Sequence, residues 1–557
     1  MAAKGGAGTA AAAAGAGVLG ILAAGQFVMT LDSSVMNVSM ATVAADVGTT
    51  ITGIQTAITM YTLVMATLML TGGKIGSIIG RKKAFLVGCA IYAAGSFTTG
   101  IAQNLPMLLF GWSLLEGMGA ALILPAIVAL VAANFEPSAR PKAYGLVAAA
   151  GAIAVAAGPL IGGLATTYAS WRYVFFGEVA IIAVILVLSK RVADVELTDR
   201  PSLDLVGTVL SVLGLGLAVF GILRSSEWGW VSPKPGGTAW LGVSPTFWLM
   251  LAGGVIVWLF FMWERHLVDA GRDPLLQPAL LKVDQLSGGL IMFFFQFLLQ
   301  AGVFFVVPLF LSVVLELSAI DTGLRIMPLS VALLAGAVGV PKVAPTGSPR
   351  RLVRIGIVLM LIGIVVLMAG IDIDASPGVV AIPMLAIGLG IGFLASQLGA
   401  VTVSAVPTSQ SGEVGGLQNT ATNLGASIGT ALAGSVMIAV LTTSLIAGIQ
   451  QNPAVPASVK SQASTELASG VPFLSDTDLQ AALDQAGVPP SVADAVVSEN
   501  RAARIDGLDA GLAVLALLAV VALFFTGRVP TEPVGADDDE ADDPAPGGAP
   551  DPEEVPA

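Results

Sequence analysis

The chain has 557 residues, 55% of them apolar and 11% charged, with a mean hydropathy of +0.87; a soluble domain carries about 25% charged residues, so a water-soluble core is excluded. The formal charge of −12 belongs to an appendage, because ten of the 37 acids lie from Glu532 to Glu554 with no Lys or Arg among them, which excludes an extended acidic field as a partner surface. One cysteine, Cys89, and one histidine, His266, exclude an internal disulfide and a thiol or imidazole metal centre.

A transmembrane helix needs about 20 mostly apolar residues. Fourteen stretches qualify, at 17–39, 51–72, 84–103, 106–130, 144–167, 173–189, 205–224, 246–263, 287–313, 322–341, 353–371, 378–402, 415–441 and 507–527. Lys4 precedes a Gly/Ala-rich lead and the first apolar run is long and polar-studded, so no cleavable signal is expected. Basic residues set the orientation. With the N-terminus inside, eighteen of the 25 fall on the cytoplasmic side, Lys74, Arg81, Lys82 and Lys83 among them, six fall outside, and Arg325 is intramembrane. Both termini are then cytoplasmic, as an even helix count requires.

The loops GGKIGSIIGRKK and VPKVAPTGSPRR are both short, basic and Gly/Pro-bearing, and each is the second inner elbow of a six-helix block. Such repetition marks secondary transporters, whose substrate sites lie near the midplane between repeats. The expected division is a six-helix bundle over 1–190, a linker and two inserted spans over 191–284, a second bundle over 285–528 with an outer loop at 442–506, and a tail over 529–557. In the outer loop Ser475 can cap a short helix ending at Gly487, and Pro489–Pro490 opens a second. The tail is rich in Pro, Asp and Gly and is expected to be disordered and cytoplasmic.

Five motifs carry a family likeness: LDSSVMNVSMATV in the first span, GGKIGSIIGRKK after the second, LLEGMGAALILPA in the fourth, GPLIGG in the fifth and SWRYVFF before the sixth. In that order they resemble the major facilitator superfamily, and fourteen spans with GPLIGG resemble its drug:proton antiporter branch. The likeness covers the membrane portion and not the outer loop or tail. GPLIGG sets Gly158 and Gly162 one turn apart, where a backbone can approach closely, and Pro159 removes a helix hydrogen bond. The resemblance implies that Gly158, Pro159, Gly162 and Gly163 form a kinked helix sealing the two halves; ordinary small-residue packing is the alternative. Gly425 and Gly429 hold the corresponding place in the second half. Gly73, Gly80, Arg81 and Lys82 match the family's cytoplasmic gate loop, while Ser77 and Ile78 stand where it usually has an acid and a base. The alternative there is topogenic charge. In the fourth span Ser113 replaces the family's arginine and Glu116 its glutamine.

Three acids lie well inside spans, away from their ends: Asp32, Glu116 and Glu178. An ionised acid at the bilayer centre costs a few kcal/mol, so each is a functional hypothesis by default. Desolvation favours the neutral carboxyl, which puts proton exchange within physiological reach. The resemblance implies that Asp32 and Glu116 line the central cavity and are the proton-coupling pair; the alternative is a capped acid bonded to a neighbour such as Asn37. Glu178, near Arg172, reads equally as half of a structural ion pair. In the ninth span Gln296 and Gln300 share a face amid Phe293, Phe294, Phe295, Phe304 and Phe305, which suits a pocket for bulky amphiphiles or, alternatively, lipid contact. Gln418, Asn419 and Asn423 read as interhelical glue.

The implied fold is all-α integral membrane, six plus two plus six, in pseudo-symmetric bundles. The implied function is a proton-driven antiporter exporting hydrophobic or amphiphilic small molecules such as drugs or antibiotics by alternating access, with Asn37, Gln296, Gln300, Phe304, Arg325 and Gln397 on the substrate cavity. No phosphate loop or haem pattern is present, so no cofactor and no enzyme activity are expected, and the proton gradient is the energy source. The partners are substrate, protons and the bilayer, without nucleic acid or metal, in a monomer. High Ala, Gly and Val with few Lys suits a GC-rich bacterium and its plasma membrane. Two alternatives stand beside this: a lipid or metabolite transporter of the same fold, and a non-transporting scaffold or sensor acting through the outer loop.

Overall fold

The computed structural model describes residues 2–49, 51–194, 201–234, 237–407, 410–457, 459–461, 467 and 473–533. The acidic tail beyond 533 and much of 458–472 therefore lie outside the described residues, as do the side chains of Asn37 and Pro159. Among the described residues fourteen long helices run in chain order: α1 Ala2–Asp46, α2 Ile51–Ile79, α3 Arg81–Gly100, α4 Leu105–Asn134, α5 Arg140–Tyr168, α6 Arg172–Leu188, α7 Leu205–Trp228, α8 Pro245–Asp269, α9 Asp284–Leu309, α10 Ala319–Val343, α11 Pro349–Gly370, α12 Ala381–Ser404, α13 Ser411–Gln451 and α14 Pro490–Phe525. Thirteen of these are long and apolar enough to cross a membrane. The remaining one, α3, opens on three basic residues and carries Ser96 and Thr99.

The two bundles pack by the same rule. α1 lies along α5, and α9 lies along α13. A Cβ at Gly158 would fall on the Ser34 side chain of α1, and one at Gly162 would stand 3.2 Å from Val35. In the second bundle, Cβ atoms at Gly425 and Gly429 would fall on the Phe294 and Leu298 carbonyls of α9. Gly158 and Gly162 of GPLIGG thus let α5 approach α1 closely inside one bundle. Gly163 has nothing within 4 Å of a built Cβ and takes no part. Pro159 has no N–H for the carbonyl of Val155, and the Ser34 hydroxyl donates to that carbonyl at 3.1 Å.

Across the halves, α5 packs on α10 and α12, and α13 packs on α2 and α4. The inserted pair α7 and α8 packs on itself, and α7 leans on both α2 and α13, at the seam. The close approaches across the seam gather at the end carrying the α2–α3 loop, here the basic end: Gly73 to Gly412, Gly145 to Ala337, and Gly399 to the Tyr144 ring.

At the opposite end α14 starts at Pro490, well before its apolar run. The expected separate helix is its first part, because Val492, Val496 and Ala503 continue the helical apolar face onto Leu441, Leu445 and Ile449 of α13. A short helix, Asp476–Gln485, is capped by Ser475, whose hydroxyl accepts from Asp478 N–H at 3.1 Å. Buried Arg504 ties this region down by donating to the Val313 and Leu474 carbonyls and pairing with Asp476. Thr477 donates its N–H and hydroxyl to Glu316, holding that carboxyl below the usual range.

Candidate functional site

Asp32, on α1, is the centre of the site. Opposite it α4 widens over Leu109–Glu116 into π-helical turns, a departure from α geometry that recurs at functional sites. These turns carry Trp112 and Glu116. The Trp112 indole N–H reaches both Asp32 oxygens, at 2.7 and 2.9 Å, and the Tyr61 ring of α2 stacks on the indole at 5.1 Å between centroids. On α3, Gly95 lets Glu116 in, since a Cβ there would stand 2.6 Å from Glu116 Cγ. Thr99 then donates to Glu116 Oε1 at 2.9 Å, and Ser96 donates to Oε2 of Glu178, on α6, at 3.1 Å. The polar residues that lower the hydropathy of α3 are thus donors to the site.

Asp32, Glu116 and Glu178 are 0%, 0% and 1% exposed, and one oxygen from each lies within 4.8 Å of the others. Every hydrogen bond above comes from a neutral group, and no ion pair among the described residues reaches the three acids. Glu116 Oε2, Glu178 Oε1 and the hydroxyls of Tyr61 and Tyr92 are buried without a hydrogen-bond partner. Three carboxylates this close in a dry interior repel one another as anions. Protonation is the chemistry that discharges them.

Two expectations change. Asp32 and Glu116 do not line an open cavity in this conformation; the indole and the Tyr61 ring cover them inside the first bundle. Glu178 does not pair with Arg172. Arg172 opens α6 at the rim, where it meets Asp46 at 2.8 Å, donates to the Ala102 carbonyl and stands over the Trp171 ring, whereas Glu178 sits deeper on the inward face. Ser113, in place of the family's arginine, donates to the Ala57 carbonyl of α2 at 2.8 Å.

The other candidate cavity residues are dispersed. Gln296 and Gln300 do share a face of α9, with both amide oxygens buried and unpartnered, and Phe304 packs at the edge of the second bundle's core. Gln397 is buried on α12 and donates to Ser396. Arg325 is exposed on α10 and joins no ion pair among the described residues. No described hydrogen bond links any of these to the acids.

At the basic end the gate loop holds a charge pair that its family motif does not foretell. Lys74 on α2 meets Glu413, in the first turn of α13, at 3.1 Å, with side chains 4% and 8% exposed. A Cβ at Gly73 would stand 2.5 Å from the Gly412 carbonyl, and Ser77 faces Gly412. Gly80 breaks the chain between α2 and α3 at φ 101, a conformation that favours glycine. Arg81 is buried beside it, and Lys82 donates its backbone N–H to Asp194. Sequence reasoning passed over Trp112 and Glu413, though Trp112 and Glu116 at i and i+4, and an acid opening a span, are the signals that point to them.

A family model described as Major Facilitator Superfamily matches residues 22–430. The chain is 28% identical over 464 residues to a probable actinorhodin transporter of Streptomyces coelicolor, covering 81% of this chain and 76% of that one. It is 30% identical over 427 residues to a puromycin resistance protein of Streptomyces alboniger, covering 75% and 81%. It is 24% identical over 423 residues to the multidrug resistance protein Stp of Mycobacterium tuberculosis, covering 76% and 75%. Among solved structures, a human organic anion transporter superposes with a TM-score of 0.55 at 13% identity, covering 92% of this chain and 99% of that one. A proton:xylose symporter superposes at 0.54 and 12%, covering 94% and 98%. These two likenesses concern the fold alone.

Proposed function

Because the chain belongs to the major facilitator superfamily, we propose that it is a proton-coupled exporter of hydrophobic or amphiphilic small molecules, an antiporter working by alternating access in a bacterial plasma membrane. The observation that carries the coupling is the dry cluster of Asp32, Glu116 and Glu178, supplied with neutral donors only. The relatives that bear the names of antibiotic transporters and resistance proteins support the cargo class.

The chain's own connections give the coupling a route. A proton arriving at the cluster removes the charge that Trp112 satisfies on Asp32. Asp32 shares α1 with Ser34, which holds the Val155 carbonyl of α5, and α5 packs on α10 and α12 of the other half. A shift of α1 is therefore passed across the seam. The basic end is shut by Lys74–Glu413 in this conformation.

The test uses proteoliposomes with ethidium, a permanent cation that cannot be trapped by simple protonation. Ethidium should accumulate in an acidic lumen and cease to do so when the pH gradient is collapsed. Equal movement with and without the gradient defeats proton coupling.

A further inference from the structure

We propose that Glu178 is a third proton-carrying group of this site, alongside Asp32 and Glu116, so that the first bundle stores more than one proton in a single dry pocket. This rests on the proton-coupled reading above and deepens it. The geometry distinguishes the three acids. Asp32 has a donor shared between both oxygens, and so has its charge met in this conformation. Glu116 and Glu178 each have one oxygen met by a hydroxyl and one with nothing. The fully buried Tyr92 hydroxyl lies beside Asp32 and Glu178, a neutral neighbour like the others.

The groups that face Glu178 come from each helix around it. α1 offers Asp32, α2 offers Tyr61, α3 offers Tyr92 and α4 offers Glu116; α5 has its titratable side chains, Arg140, Lys142, Tyr144 and Tyr168, only at its two ends. None of the inward-facing groups is a cation. A buried carboxylate with no cation and an unmet oxygen is far costlier than a carboxylic acid that donates to that neighbourhood. A hard metal ion would compete for the same oxygens, so the test sets sodium against an organic cation. The proton is the cation these residues fit.

Infrared spectroscopy of the purified full-length protein in lipid nanodiscs reads protonated carboxyls directly, through their C=O stretch and its shift in heavy water. Glu178→Gln should lose a protonated-carboxyl component that wild type shows, Glu178→Asp should restore one, and Ser96→Ala should move its frequency without removing it. In proteoliposomes Glu178→Gln should release fewer protons per ethidium moved. A wild-type carboxyl band left unchanged by both Glu178→Gln and Ser96→Ala overturns the assignment, as does a band abolished by sodium at constant pH when N-methylglucamine leaves it intact. If wild type moves ethidium without regard to pH, the transport reading falls, while the band still decides whether Glu178 carries a proton.

Discussion

One hydroxyl and one missing N–H explain how α1 is fastened to α5. Pro159 leaves the Val155 carbonyl without its helical donor, and Ser34 replaces it, while Gly158 leaves the room in which Ser34 sits. Gly158→Val should therefore force α1 and α5 apart, at the roughly 1–3 kcal/mol typical of overpacking, and lower the thermal unfolding midpoint. Gly163→Ala, with nothing within 4 Å of the new Cβ, should leave that midpoint within the scatter of surface substitutions. A Gly158→Val midpoint equal to wild type would mean the two helices are not in this contact. The acids allow a sharper pair. Glu116→Gln keeps the oxygen that Thr99 meets, whereas Asp32→Asn turns an NH2 toward the Trp112 N–H, donor against donor, at a cost of about 1–3 kcal/mol. Both variants should insert, and both should lose gradient-driven ethidium accumulation, with Asp32→Asn the less stable by thermal melting. Wild-type accumulation with unchanged pH dependence in both would make the acids structural.

Among the helices, the seam at the basic end depends on one buried ion pair. Breaking such a pair by removing one partner costs about 3–5 kcal/mol because it strands a buried charge. Lys74→Ala or Glu413→Ala should accordingly loosen α2 from α13, and the exchange Lys74→Glu with Glu413→Lys should restore much of the contact. Spin-label distances between the ends of α2 and α13 check this: lengthening in the single variants and recovery in the exchange is the expected pattern, and unchanged distances throughout would show that the glycine contacts alone hold the gate. The pair also marks where sequence legibility ends. Apolar run lengths located the helices, and the scarcity of charge within them singled out Asp32, Glu116 and Glu178. Ser77 stands in that loop where the family usually has an acid, so the local motif supplies no carboxylate for an ion pair. The lock exists because Lys74, three residues earlier on α2, meets an acid 339 residues away, a pairing set by the approach of Gly73 to Gly412 and invisible to local pattern. The π-helical turns around Trp112 were hidden for a similar reason, since that segment packs against α2 and α3 and nothing in the α4 sequence marks it. Gln296 and Gln300 were legible as one face, but what they face was not.

Taken whole, the molecule is two bundles joined at one end, with a folded region of the second bundle at the other. Its C-terminal boundary is set by Arg350, which takes the Val529 carbonyl at 2.7 Å with its side chain and the Pro530 carbonyl at 3.1 Å with its backbone. A chain cut after Pro533 keeps both acceptors and should transport as the full chain does, whereas a cut after Arg528 should lower the unfolding midpoint; impaired transport in the longer form, if it inserts normally, would give the acidic tail a role in transport. Which end faces the cytoplasm follows from charge. Eighteen of 25 basic residues gather at one end and six at the other, and Lys and Arg are retained on the cytoplasmic side during insertion. On the proposed topology the end closed by Lys74–Glu413 is the inner one, and the short helix Asp476–Gln485 is extracellular. Cys89, the sole native thiol, is buried, so introduced cysteines can be read against a quiet background. Gln485 and Lys83 are exposed residues at opposite ends. A membrane-impermeant maleimide applied to intact cells should label Gln485→Cys at once and Lys83→Cys only after permeabilisation. The reverse order would invert the topology, and with it the side from which the proposed coupling would draw its protons.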